Sequence, residues 1–219
     1  MVEVKICGIN SSEAADAAAS AGAEYAGLVF FPPSPRHVGH EQAASLAARL
    51  HHRCRIVAVL VDASDAEIEG AVKAVRPDLL QLHGRETPDR VAAVRGRFGI
   101  PVMKAISVAD ANDFAGVAAH ERVADQLLFD AKAPQSASRP GGHGAAFDWQ
   151  LLRNRNFRRP WLLSGGLTVE NVARAIHACN AAAVDCSSGT ETAPGVKSSQ
   201  LIREFVVAAR AARFAEVGA

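Results

Sequence analysis

The sequence predicts an α/β protein, a single closed (β/α)8 barrel. Short β-branched or apolar runs alternate with Ala-rich helical stretches, and the alternation repeats eight times with nothing left over. Polar residues gather at the C-terminal ends of the apolar runs. Repeated βαβ units force parallel strands with helical crossovers. Eight in succession, with no dividing linker, suit one barrel over residues 1–219 better than an open doubly wound sheet.

Each unit has its own signals. The first strand is expected at Val2–Cys7 and its helix at Ser12–Ala21, with Asn10 as N-cap, Glu13 as capping-box partner and Gly22 past the end. Unit two pairs Tyr25–Phe30 with a helix near Glu41–His51. Unit three pairs Arg55–Val61 with a helix opened by the Ser64/Glu67 capping box and ending near Val75. Units four and five read as Leu79–Leu82 with Pro88–Arg97, and Val102–Ile106 with Asp110–Ala119. Unit six is Gln126–Asp130, a Pro/Gly/Ser-rich loop at Pro134–Gly144 expected to be mobile without ligand, and a short helix near Trp149. Unit seven is Trp161–Leu163 with Thr168–Ala178, and unit eight Ala182–Cys186 with Ser198–Phe214.

Composition narrows the function. Lys and Arg number 24 against 23 Asp and Glu, a net charge of +1, which disfavours a nucleic-acid partner. The Met1–Gly8 start lacks the apolar stretch of a signal peptide, and no run approaches a membrane span. Four cysteines without a CxxC pair point to free thiols in a reducing, cytoplasmic setting.

The chemistry collects at the strand ends: Lys5 and Cys7, Asp62, Gln81 and His83, Lys104, Asp130, Ser164, Asp185 and Ser187. In a barrel these ends converge on one mouth. Alternation turns Lys5 and Cys7 into the barrel, gives Asp185 and Ser187 one parity, and turns Cys186 toward a helix. Cys54 and Cys179 read as structural or surface thiols, leaving Cys7 as the cysteine placed for chemistry. Ser164-Gly165-Gly166 and Ser187-Ser188-Gly189 follow strands seven and eight, the usual phosphate site of barrel enzymes, though simple turns would also use such glycines. No Walker lysine or GxGxxG fingerprint occurs, so no nucleotide cofactor is expected. Arg36 stands in a proline-stiffened loop, Phe31–Gly39, and reads either as a carboxylate clamp or as an exposed surface arginine.

Seven segments together resemble the phosphoribosylanthranilate isomerase family: KICGIN (Lys5–Asn10), GLVFFPPSPRHV (Gly27–Val38), QLHG (Gln81–Gly84), LFDA (Leu128–Ala131), GGHGAAFDW (Gly141–Trp149), LSGGLTVENV (Leu163–Val172) and VDCSSGTETAPGVKS (Val184–Ser198). They occur in the family's order and cover essentially the whole chain. Asn10, His143, Ala145-Ala146, Cys186 and Ser198 depart from the family's usual residues without removing a catalytic group.

The resemblance implies an Amadori rearrangement in tryptophan biosynthesis. N-(5′-phosphoribosyl)anthranilate would become 1-(o-carboxyphenylamino)-1-deoxyribulose 5-phosphate, with Asp130 as general acid and Cys7 as general base. Arg36 would hold the anthranilate carboxylate. His83, Asp185, Gly142, Gly144, Gly165, Gly166, Ser187, Ser188 and Gly189 would contact the substrate. Such a base needs a lowered thiol pKa, for which Lys5 is the candidate cation. No metal or organic cofactor is required, because the substrate nitrogen is the electron sink. The expected partner is that small molecule, on a monomer or homodimer. The rivals are another sugar-phosphate barrel isomerase or synthase of the tryptophan or histidine pathways, a metal-binding barrel using Cys7, His83 and Asp130, and a barrel that has lost catalysis.

Overall fold

The structure, a computed structural model, describes residues 1–132 and 146–212. Its strands are β1 (Glu3–Cys7), β2 (Tyr25–Val29), β3 (Arg55–Leu60), β4 (Leu79–Leu82), β5 (Val102–Val108), β6 (Gln126–Ala131), β7 (Trp161–Leu163) and β8 (Ala183–Cys186). They pair in sequence order, all parallel, into a closed barrel. β8 closes on β1 with Lys5 opposite Asp185. The expected (β/α)8 barrel is therefore the observed architecture.

Strands buried on both faces need apolar residues at nearly every position, which explains their Val, Leu, Ile and Ala content. Alternation divides them into two cores. Val4, Ile6, Leu28, Ile56 and Leu60 point outward to the helices. Cys7, Tyr25, Val57, Val59, Met103, Leu128 and Leu162 fill the barrel.

The helices are α1 (Ser12–Ala21), α2 (His40–Leu50), α3 (Asp65–Val75), α4 (Pro88–Phe98), α5 (Val117–Glu121), α6 (Val172–Cys179) and α7 (Ser199–Ala211). The Ser64/Glu67 capping box opens α3 and left-handed Gly22 closes α1, as the sequence predicts. The N-cap of α1 is corrected: Ser11 takes the Ala14 amide, while Asn10 donates to the Gly195 carbonyl 2.8 Å away. The fifth helix is corrected too. Asp110 caps a 3-10 turn, Ala111–Phe114, and the chain restarts at Gly116 as the short α5. In unit six, Trp149–Leu152 is a 3-10 turn. In unit seven the helix begins at Val172 because Asn171 forms a turn first, accepting from the Thr168 amide and donating to the Gly166 carbonyl.

One element was not anticipated. After a 3-10 turn at Ser188–Thr190, β9 (Glu191–Ala193) and β10 (Val196–Lys197) form a small antiparallel hairpin over the mouth side of the last unit. Among the described residues, no helix is long and apolar enough to cross a membrane.

Candidate active site

β1 delivers Lys5 and Cys7 to the interior, as alternation predicts. Lys5 is fully buried, and its Nζ lies 2.7 Å from Asp185 Oδ1. Ser164 Oγ donates to the other Asp185 oxygen at 3.0 Å. Burial works against the Lys5 charge, but Asp185 and Cys7 outweigh it and hold the ammonium above its ordinary range. The buried pair thus places a fixed cation beside the thiol.

For Cys7 the balance differs from expectation. Burial pushes the thiol up, Lys5 pulls it down, Asp185 pushes it up again, and Lys197 pulls it down. The net value stands above that of an ordinary thiol, so Lys5 does not overcome the low-dielectric site. Cys54 and Cys179 are buried thiols pushed by burial to about 11, and Cys186 to about 12. Cys186 faces the helical layer as expected and bonds the Leu167 carbonyl.

Three strands around the barrel from β1, β6 carries Asp130 to the same rim. Its Oδ1 accepts from the Ala131 amide at 2.9 Å, and its Oδ2 lies 3.1 Å from His83 Nε2. Gln81 Nε2 lies 2.7 Å from His83 Nδ1. An amide donor there makes Nδ1 the acceptor, so His83 carries its hydrogen on Nε2 and donates it to Asp130. Gln81 Oε1 is buried with no hydrogen-bond partner among the described residues. Rotating the amide by a half turn would reverse every donor in this chain and let His83 accept from a protonated Asp130.

Arg36 is not an exposed surface arginine: it is 4% exposed. Its stem lies on Gly8, where a Cβ would stand 2.5 Å from Arg36 Cδ, so the loop after β2 crosses over the residue that follows Cys7 in the chain. Glu191 grips the guanidinium at two points, Nε to Oε1 at 2.6 Å and Nη2 to Oε2 at 2.8 Å. Lys197 Nζ lies 3.0 Å from Glu191 Oε1. The sequence reading missed Glu191 and Lys197 as site residues, although both stand in the last quoted segment.

The loops after β7 and β8 touch. Gly165 takes φ +89°, and a Cβ there would stand 2.7 Å from the Ala131 amide nitrogen, next to Asp130. A Cβ on Gly189 would collide with the Leu167 carbonyl. Gly166, Ser187, Ser188 and Gly189 are half-buried. α6 starts at Val172, after a turn in which the Asn171 and Val172 amides donate to the Thr168 carbonyl.

Other predicted strand-end groups serve the architecture. Lys104 donates to the Leu82 and Gly84 carbonyls and to Glu86, and Asp62 accepts from the Arg85 amide. Gly142, Gly144, His143 and the Pro134–Gly144 loop lie outside the described residues. Among the described residues, no three His, Cys, Asp or Glu side chains are grouped to hold a metal ion. His83 pairs with Asp130, whereas Cys7 sits against Lys5.

Comparison with known proteins gives the family. The family model for N-(5′-phosphoribosyl)anthranilate isomerase matches residues 4–208. An isomerase of that name from Rhodopseudomonas palustris (strain BisA53) is 53% identical over 210 residues, 96% of each chain. One from Paramagnetospirillum magneticum is 52% identical, covering 97% of this chain and 99% of its own. The crystal structure of phosphoribosyl anthranilate isomerase from Thermotoga maritima superposes with a TM-score of 0.86 at 35% identity, over 96% of this chain and all of the other. A crystal structure of a phosphoribosyl anthranilate isomerase in complex with reduced 1-(o-carboxyphenylamino)-1-deoxyribulose 5-phosphate matches at TM-score 0.83 and 33% identity over the same shares. A third, at TM-score 0.83 and 34% identity, again over 96% and 100%, is of monomers of the dimeric Thermotoga maritima enzyme.

Proposed function

The chain belongs to the N-(5′-phosphoribosyl)anthranilate isomerase family, and from that premise we propose that it converts N-(5′-phosphoribosyl)anthranilate into 1-(o-carboxyphenylamino)-1-deoxyribulose 5-phosphate, a step of tryptophan biosynthesis. The observation that carries the reading is the placement of Cys7 and Asp130 on strands of one rim, with Arg36 packed on Gly8.

Protonated Asp130 gives its proton to the furanose ring oxygen, the C1–O bond breaks, and the aniline nitrogen lone pair forms the Schiff base. The Cys7 thiolate removes the proton from C2, and those electrons neutralise the iminium to give an enolamine. Protonation at C1 by the Cys7 thiol and loss of the 2-hydroxyl proton, which returns to Asp130, then yield the ketone, so atoms and electrons balance without an outside oxidant. Two donor–acceptor arrangements of the Gln81–His83 chain suit the two states of Asp130.

Arg36 receives the anthranilate carboxylate, where a planar fork matches two oxygens. The backbone of Gly165-Gly166 and Ser187-Ser188-Gly189 receives the phosphate, and Gly142 and Gly144 are further substrate-binding residues. Asp185 acts from below by fixing Lys5, whose charge stabilises the thiolate once it forms. The protein functions as one barrel over residues 1–219, in the cytoplasm, as a monomer or homodimer, which sedimentation distinguishes.

The test is loss of substrate fluorescence on mixing with freshly generated phosphoribosylanthranilate. Cys7→Ala and Asp130→Asn should each lower kcat by about a thousandfold or more while keeping the circular dichroism of the parent. Near-parental rates in either variant would overturn its assigned role.

A further inference from the structure

We propose that Glu191 and Lys197 are positioning residues that hold the Arg36 clamp and the Ser187–Gly189 loop at one fixed spacing, matched to a ligand with an anion at each end. The inference rests on the reading that Arg36 receives a carboxylate and that loop a phosphate.

The Glu191 carboxylate is saturated by this protein's own groups. Oε1 accepts from Arg36 Nε at 2.6 Å and pairs with Lys197 Nζ at 3.0 Å. Oε2 accepts from Arg36 Nη2 at 2.8 Å and from the Gly195 amide at 3.1 Å. A carboxylate offers about four acceptor directions, and all are used. Glu191 therefore fixes the plane of the guanidinium and has no capacity left for a ligand. Burial opposes its charge, yet the Arg36 hydrogen bonds and Lys197 hold it below the usual carboxylate range, so it stays ionised.

Alone, Glu191 would cancel the Arg36 charge and weaken its pull on an anion. Lys197 beside it restores one net positive charge to the cluster when protonated; burial pulls its ammonium below the ordinary lysine range, and Glu191 opposes that. Its ammonium also donates to the Ser187 carbonyl at 2.7 Å and the Thr190 hydroxyl at 3.3 Å, using all three hydrogens. Because a trans peptide sets C=O and N–H on opposite sides, anchoring the Ser187 carbonyl turns the Ser188 amide away from Lys197. One buried lysine thus connects both anion-recognising elements.

The hairpin bearing the pair is wedged in place. Its Gly195 abuts the Pro35 carbonyl, where a Cβ would collide, and its own carbonyl accepts from Asn10 Nδ2. The β1 loop, the Arg36 loop and the β8 loop therefore meet at one tip.

The experiment measures substrate KM and kcat, with inhibition by anthranilate and by inorganic phosphate, in Arg36→Ala, Glu191→Gln, Lys197→Met and the Arg36→Ala/Glu191→Gln pair. Glu191→Gln should raise KM and the anthranilate inhibition constant about tenfold, with a much smaller fall in kcat and unchanged phosphate inhibition. Lys197→Met should weaken both inhibitors. In the Arg36→Ala background, Glu191→Gln should add nothing, because its effect travels through that arginine. If Arg36→Ala leaves KM and anthranilate inhibition unchanged, the carboxylate reading itself fails. If Arg36→Ala weakens them but Glu191→Gln and Lys197→Met do not, or if the double variant shows additive loss, the positioning proposal is overturned and the carboxylate reading stands. Should Glu191→Gln not fold, Glu191→Asp reads the same split, since it keeps the charge but withdraws the carboxylate by one methylene.

Discussion

At Cys7, burial, Lys5, Asp185 and Lys197 decide how readily the sulfur releases its proton. Burial is the strongest influence, and the thiol ends above its ordinary value. The reaction needs Cys7 ionised and Asp130 protonated together, so kcat/KM should be bell-shaped in pH, with the limb set by the thiol lying above the ordinary thiol pKa of about 8.5. Lys197→Met should shift that limb further up, because Lys197 lowers the thiol. A rate independent of pH from neutral to pH 9 would contradict the placement of the base at Cys7. The same crowding makes Gly27 a sensitive position. A Cβ there would stand 3.1 Å from Cys7 Sγ and 3.3 Å from Lys5 Nζ. Gly27→Ala is expected to cut kcat by about tenfold or more through displacement of the sulfur, while the fold survives. Unaltered turnover would show that the thiol has room to spare.

Among the elements, β6 joins stability to chemistry. Asp130 faces the mouth, while its neighbour Phe129 faces outward into rings from Phe157, Phe114 and Trp161, with centroids 4.6 to 5.7 Å away. Phe129→Ala should cost about 3–5 kcal/mol, read as a lower urea midpoint, and should loosen the strand that holds the acid. Elements carrying a local signal were legible in the sequence: the α3 capping box, Gly22, and the alternation that turned Cys7 inward and Cys186 outward. The fifth helix was overread because its apolar spacing runs across Gly116, where the backbone breaks. The hairpin was missed because strands of three and two residues leave no periodicity. Glu191 and Lys197 escaped for a different reason. Glu191 lies 155 positions from Arg36, and no spacing rule links a loop glutamate to so distant an arginine.

Across the whole molecule, a net charge of +1 coexists with deeply buried ion pairs. Glu86 lies 2.8 Å from Lys104, both almost wholly buried. Burial opposes the Glu86 charge, but Lys104 holds the carboxyl below its usual range. Its contribution to stability is therefore complete above the unfolded glutamate pKa of about 4.3 and is lost as pH falls through the lower folded value. Glu191 adds a loss of the same sign. Unfolding midpoints should drop steeply below about pH 4. Glu86→Gln should flatten that drop while lowering neutral-pH stability by about 3 kcal/mol, because Lys104 stays buried without its counter-charge. An acid slope unchanged by the substitution would remove Glu86 from the account.

The seam between β1 and β8 carries a consequence for biosynthesis. Lys5 leaves the ribosome well before its counter-ion, Asp185, from which it is separated by 180 positions. Until the last βα unit emerges, burying that lysine would strand an unpaired ammonium, a cost of several kcal/mol. A nascent chain therefore keeps its first strand wet and its thiol unassembled, and acquires both barrel closure and reactivity in one late event.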